Sequence, residues 1–235
     1  MTIAEKIFRA KTDYDEVYEA GKQAEWSDFW DTFQDYGKRT EYTSRVFGEN
    51  YWNDETFKPK YDLVLSLCSA MFQRSNIINL AEILAERNIT LDTSKSSSHL
   101  QMYQGANTKH IPVTDLSNSS NVNYTFGSNC KAETIDKLIV SETTPFATTT
   151  FSPYLKHITF EGVIGVDISF QNSSLTAESA KDVIMHLKDY SGTDKEFTCK
   201  VTFSSETKEL LEAEGNTAPN GMAWLEYAQA KGWNA

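Results

Sequence analysis

The feature that most constrains this chain is a loose internal repeat through its middle. Four aromatic residues, Phe72, Tyr103, Phe126 and Phe151, stand 31, 23 and 25 residues apart, and each precedes a short apolar run. The runs are Ile77-Ile78-Asn79-Leu80, Ile111-Pro112-Val113, the stretch from Ile135 to Val140, and Ile158-Thr159-Phe160. Their isoleucines Ile78, Ile111, Ile135 and Ile158 are 33, 24 and 23 residues apart. A unit of about 23 residues holds one strand and one irregular return, and it cannot bury its apolar flank alone. Stacked units must complete one another's core, with strands forming a parallel sheet on one wall and the aromatics entering from the opposite wall. Residues 83–88 read as a helical insertion that lengthens the first unit, and the Ser/Thr/Asn-rich stretches 93–98 and 117–121 read as turns between walls.

Ahead of the repeat, Ile3, Ile7, Ala10, Tyr14, Val17, Gly21 and Ala24 alternate spacings of four and three, the seam of a coiled coil. So narrow a stripe fits a second helix, and two readings stay open: self-association, or docking on the protein's own body. Trp26, Phe29, Trp30 and Phe33 then form a wider aromatic face that Gly37 ends. Residues 38–66, rich in Tyr, Trp and Asn, read as a connector whose aromatics either plug the first turn of the repeat or form a binding surface. Behind the repeat, Ser174 to Ser179 offer helix N-caps before Ala180, Val183, Ile184 and Leu187. Alternation of Phe197, Cys199, Val201 and Phe203 predicts a strand over 196–204, and helices follow over 206–214 and 222–231. The expectation is an α/β chain in four segments: a helical or coiled-coil stretch 1–37, a connector 38–66, a short leucine-rich-repeat-like solenoid with a parallel sheet over 67–173, and an α/β cap over 174–235.

Charge narrows the partners. With 33 acidic against 22 basic side chains the chain carries a formal net charge of -11, which opposes the phosphate attraction that nucleic-acid binders rely on. Cys68, Cys130 and Cys199 are odd in number and widely spaced, so they read as reduced core thiols rather than a disulfide framework or a metal half-site. Acids in the first residues replace the apolar core of a signal peptide, and no run is long enough to span a membrane. These features predict a protein made in a cytoplasm without a secretory signal or membrane insertion.

Residue spacing carries no catalytic signature. No GxSxG elbow, phosphate-cradling GxxxxGK[ST] or GxGxxG occurs, and His99, His110, His157 and His186 never fall at the spacing of a two-histidine metal site. His110 and His157 each precede a strand isoleucine, which makes them equivalent positions of the repeat. The acids Asp13, Asp15, Glu16, Glu206, Glu209, Glu212 and Glu214 read as solvated helix faces. Neither an enzyme nor a cofactor or metal is expected.

Phe126 followed by Cys130 and Ile135, and Phe151 followed by Leu155 and Ile158, resemble the degenerate phenylalanine, small residue, leucine, isoleucine skeleton of BspA-like leucine-rich repeats. The wider layout includes Ala4-Glu5-Lys6-Ile7, Val17 to Lys22, Phe29-Trp30-Asp31, Thr56 to Asp62 and the closing Gly232-Trp233-Asn234. Together these are similar to leucine-rich repeat proteins of phages and prophages of Gram-positive, often gut, bacteria. Tyr103 in a Phe position and the insertion at 83–88 depart from that pattern. The resemblance implies a tail- or baseplate-associated protein, virion-bound, that contacts a tail component or the host surface, and it brings no catalytic residues. On the turns, Tyr103, Asn107, Asn121, Asn123, Tyr124 and Tyr154 are the candidate contact residues. The alternative is an intracellular phage-encoded acidic inhibitor that occupies the basic groove of a host nucleic-acid-binding defence protein. A weaker third reading is a carbohydrate-active enzyme.

Overall fold

A computed structural model of the chain describes residues 47–48, 52–59, 62–65, 67–127, 129–146, 151–213 and 215–235. The seam from Ile3 to Ala24 and the aromatic face from Trp26 to Phe33 lie outside the described residues.

The repeat folds as a solenoid whose described strands pair in parallel. β1 (Leu63–Val64) pairs with β2 (Leu91–Asp92). β3 (His110–Ile111) and β4 (Thr114–Asp115) both pair with one edge of β5 (Thr134–Val140), and β6 (His157–Gly162) pairs with its other edge. Ile111, Ile135 and Ile158 share one register line, so the isoleucine period read from sequence is a period of the fold. Pro112, which cannot donate to a ladder, separates β3 from β4. Between Ile135 and Leu138 the β5–β6 register shifts, a bulge that leaves Asp136 and Lys137 both directed away from the core.

From the opposite wall a column of rings fills the interior. Phe47, Phe72, Tyr103, Phe126, Phe151, Phe170 and Phe203 stack in that order, with centroid separations of 5.3, 5.4, 5.9, 5.4, 4.3 and 6.1 Å. All of them are buried. The four sequence anchors are consecutive members of this column, and Phe47 and Phe57 join it from the connector, which settles those two aromatics as core. Coils follow one another at the strand spacing of about 4.8 Å, so one ring per coil gives near-continuous van der Waals contact along the axis.

The first unit departs from expectation. The strand predicted at Ile78 is absent, because α1 (Leu80–Glu86) begins there, and Ile77 rather than Ile78 is the buried residue. Asp54 explains the turn: its carboxylate accepts hydrogen bonds from the Ile78 and Asn79 N–H groups and from Asn79 Nδ2.

At the far end, α2 (Ala177–His186) takes the place of a strand beside β6. Thr176 caps it through its hydroxyl, accepting from the Ser179 N–H. Ser179 Oγ then accepts from the Ile158 N–H at 2.9 Å, and Asp182 Oδ2 from the Phe160 N–H at 2.7 Å. Two side chains of one helix thus occupy donors that an exposed sheet edge would offer to another chain. Lys231 closes the other end of α2, its ammonium donating to the carbonyls of Ile184, Met185 and Leu187 at 3.0, 2.9 and 2.9 Å.

The strand predicted over 196–204 is only β8 (Val201–Phe203), paired with β7 (Ile168–Phe170). Phe197 has φ +58° and is 52% exposed, because a turn rather than a strand occupies that stretch. Two helices follow, α3 (Ser205–Glu212) and α4 (Trp224–Ala230).

Candidate functional site

Outward-facing positions of the β3–β5–β6 sheet bring together groups that lie far apart in sequence. The bulge in β5 decides which. Asp136 reaches back to His110, whose Nε2 lies 2.6 Å from Asp136 Oδ1, while Lys137 reaches forward to Glu161 at 3.0 Å. The second ring nitrogen of His110 lies 2.8 Å from Glu82 on α1. One imidazole therefore joins two carboxylates, and through them α1, β3 and β5. Glu133–Lys156 at 3.4 Å and Glu142–Lys188 at 2.6 Å continue the alternation of charge from coil to coil.

With both nitrogens engaged, His110 presents no free base to a substrate. The arrangement suits an electrostatic clamp. Partial burial opposes its charge, but the hydrogen bonds and charges of Asp136 and then Glu82 outweigh that and hold the imidazole above its ordinary value of 6.5. A raised folded value means stabilisation that is complete below pH 6.5 and is lost as pH rises through the folded value. Solvent reaches 31% of the His110 side chain, so the contribution is modest, below about 1 kcal/mol. His110→Gln should lower the melting temperature measurably at pH 6 and leave it nearly unchanged at pH 9; an equal loss at both would remove the clamp from the account.

The stacked turns form a second surface. Asp92 and Asp115 accept at Oδ1 from the Ser94 and Ser117 N–H groups at 3.0 and 2.8 Å, the same turn on adjacent coils. Thr93, Ser96, Ser119 and Thr144 bury their hydroxyls behind these turns. Outside them, Ser117 to Ser120, Thr143 and Pro145 line a shallow open recess.

The structure divides the sequence-predicted contact residues. Tyr103 does not belong among them: it is fully buried in the ring column, its hydroxyl 3.4 Å from Thr114 Oγ1. Asn121, Asn123 and Tyr124 lie on the wall that carries the rings, where the carbonyls of Asn121 and Asn123 accept from the His99 and Gln101 N–H groups. Tyr124 is 48% exposed. Asn107 and Tyr154 lie on the next edge: Asn107 donates to Asn76 at 2.7 Å, and Tyr154 holds the ammonium of Lys131 at its hydroxyl, 3.0 Å, and over its ring, 4.5 Å.

Two groups escaped the sequence reading. Glu82, His110 and Asp136 needed the register and the helix α1 before they could be joined. His99 had a signal, since it stands four residues before Tyr103 as Cys68 stands before Phe72 and Val122 before Phe126. It is a core position.

Burial pushes the thiols of Cys68 and Cys130 up to about 12 and about 11, which makes them inert at neutral pH. Among the described residues no group of three or more His, Cys, Asp or Glu is placed to hold a metal ion, and no helix is long and apolar enough to cross a membrane. Compared with known protein families, curated proteins and solved structures, the chain matches none.

Proposed function

We propose that this chain is a non-enzymatic binding or structural protein that displays its solenoid surface, in the setting of a phage tail or baseplate, to the host surface or to other components of the particle. The observation that carries the reading is the division of the chain into a dry ring column inside and, outside, sheet faces and turns fixed in register from coil to coil. Such a surface offers extended contact area. The resemblance of Phe126, Cys130 and Ile135 and of Phe151, Leu155 and Ile158 to a leucine-rich-repeat skeleton, together with the wider layout that includes Thr56 to Asp62 and Gly232-Trp233-Asn234, supports the phage setting. Tyr124 and Tyr154 are the contact residues of choice, because exposed tyrosines combine apolar area with a hydrogen-bonding tip. If the seam from Ile3 to Ala24 self-associates, several surfaces act together and weak contacts gain by avidity.

Mass spectrometry of purified virions should find the chain. A double variant, Tyr124→Ala with Tyr154→Ala, should keep its melting temperature while retention on host cells or on particles falls about tenfold or more. Presence in infected lysate with exclusion from virions overturns the display reading. That outcome favours the second reading, an acidic inhibitor of a host nucleic-acid-binding protein, which the net charge of -11 supports.

A further inference from the structure

His99 occupies a place where this fold otherwise puts a small apolar side chain. On the wall that carries the rings, the Cys68 N–H donates to the Ser98 carbonyl on the next coil, and the His99 N–H donates to the Asn121 carbonyl on the coil after that. Cys68, His99 and Val122 are thus successive rungs of one inward-facing ladder, and all three are fully buried. An imidazole on such a rung needs two hydrogen-bond partners and has one. Its Nδ1 lies 3.1 Å from Ser119 Oγ, and Nε2 has no partner among the described residues.

We propose that His99 is an acid-operated latch: protonation of its ring loosens the pairing between the coil that carries Tyr103 and the coil that carries Phe126, and deprotonation closes it again. A cation on this rung has no counter-ion in contact. Asp115 on β4 is the charged group that acts on it, and it favours protonation; the titratable group on the coil below is the Cys68 thiol. From the neighbouring turns come Ser119 at the ring and Thr125 at the His99 carbonyl, which carry no charge. Desolvation dominates over the attraction of Asp115 and drives the folded imidazole from 6.5 down to about 4. The native form therefore binds fewer protons than the opened form between those two values. Closure is complete above pH 6.5 and is lost as pH falls toward 4.

The bonds at stake are specific. The His99, Gln101 and Tyr103 N–H groups donate to the carbonyls of Asn121, Asn123 and Thr125 at 2.8, 2.9 and 2.8 Å. Thr125 Oγ1 returns a bond to the His99 carbonyl at 2.8 Å. Opening this seam frees the Asn121, Asn123 and Thr125 carbonyls without requiring β7 and β8 to part.

Amide hydrogen exchange on the full chain tests the latch. After correction for the intrinsic pH dependence of exchange, protection at Gln101 and Tyr103 should fall by about 80-fold between pH 6.5 and pH 4, on the way to a limit of about 300-fold set by the shift from 6.5 to about 4. Ile168, whose N–H donates to Lys200 at the far end, should change much less over the same range. His99→Val, which places the Val122 side chain type on this rung, should abolish the local loss. A parallel loss at Ile168, or a His99→Val protein as acid-sensitive as the parent, overturns the proposal. So does an NMR titration of the unaltered chain in which the His99 ring protonates near 6.5 with the fold intact, a measurement that needs no variant.

Discussion

Replacing Phe126 by alanine should lower the unfolding free energy by about 3–5 kcal/mol, the range for removing a large buried aromatic side chain. Phe126 is fully buried and stacks on Tyr103 at 5.9 Å and on Phe151 at 5.4 Å, so the substitution breaks the ring column on two sides at once. Coils contact chiefly their neighbours, and the stability of such an array is close to a sum of unit and interface terms. Two adjacent interfaces weaken together here, which should broaden or split the urea transition as well as shift its midpoint. Tyr103→Phe supplies the control. It keeps the ring and removes only a hydroxyl whose bond to Thr114 is long, 3.4 Å, so its cost should stay below about 1 kcal/mol. A Phe126→Ala protein as stable as Tyr103→Phe would show that the column is filler and that the strands alone hold the coils.

That column was partly legible in the sequence, for a physical reason. Where a coil is built without insertion, the distance from ring to strand is fixed by the girth of the coil, and Tyr103, Phe126 and Phe151 keep nearly constant distances to Ile111, Ile135 and Ile158. Phe170 and Phe203 belong to the same column but stand 19 and 33 residues after the preceding member, so the turn around Phe197 and the other irregular connections hide them, whereas Phe47, 25 residues before Phe72, keeps the repeat spacing and was missed because it sits in the stretch read as a connector. Alternation misled at Phe197 because it cannot see a positive φ, and at Ile78 because a carboxylate 24 residues upstream, Asp54, starts a helix there. Tyr103 shows the other kind of error. As a repeat anchor it had to be inside, and its own alignment with Phe72 and Phe126 excluded it from a contact surface. The His110 clamp lay beyond reach, since it depends on a one-residue bulge that turns Asp136 toward one coil and Lys137 toward the next.

The same β5–β6 pair contains the described glycine with the tightest surroundings. Gly162 ends β6 opposite Val140 with φ +99°, and a Cβ placed on it would lie 2.0 Å from the Val140 carbonyl oxygen and 3.1 Å from its carbon. Two penalties combine. A non-glycine residue at such a φ costs about 1–3 kcal/mol, and relief of the clash requires the strands to part where Ile139 and Val140 pair with Glu161 and Gly162, at about 1 kcal/mol for each hydrogen bond lost. Gly162→Ala should therefore destabilise by about 3 kcal/mol or more. Gly192 separates the two causes, because it has φ +69° with nothing within 4 Å of its notional Cβ. Gly192→Ala should pay the conformational part alone, about 1 kcal/mol. If urea unfolding gives the two variants equal losses, backbone conformation accounts for both and the close approach of Gly162 to Val140 has no energetic weight. If the Gly162 loss is larger by the expected margin, the contact fixes how closely the coils pack, and with it the spacing at which Lys137 meets Glu161 and Asp136 meets His110 on the outer face.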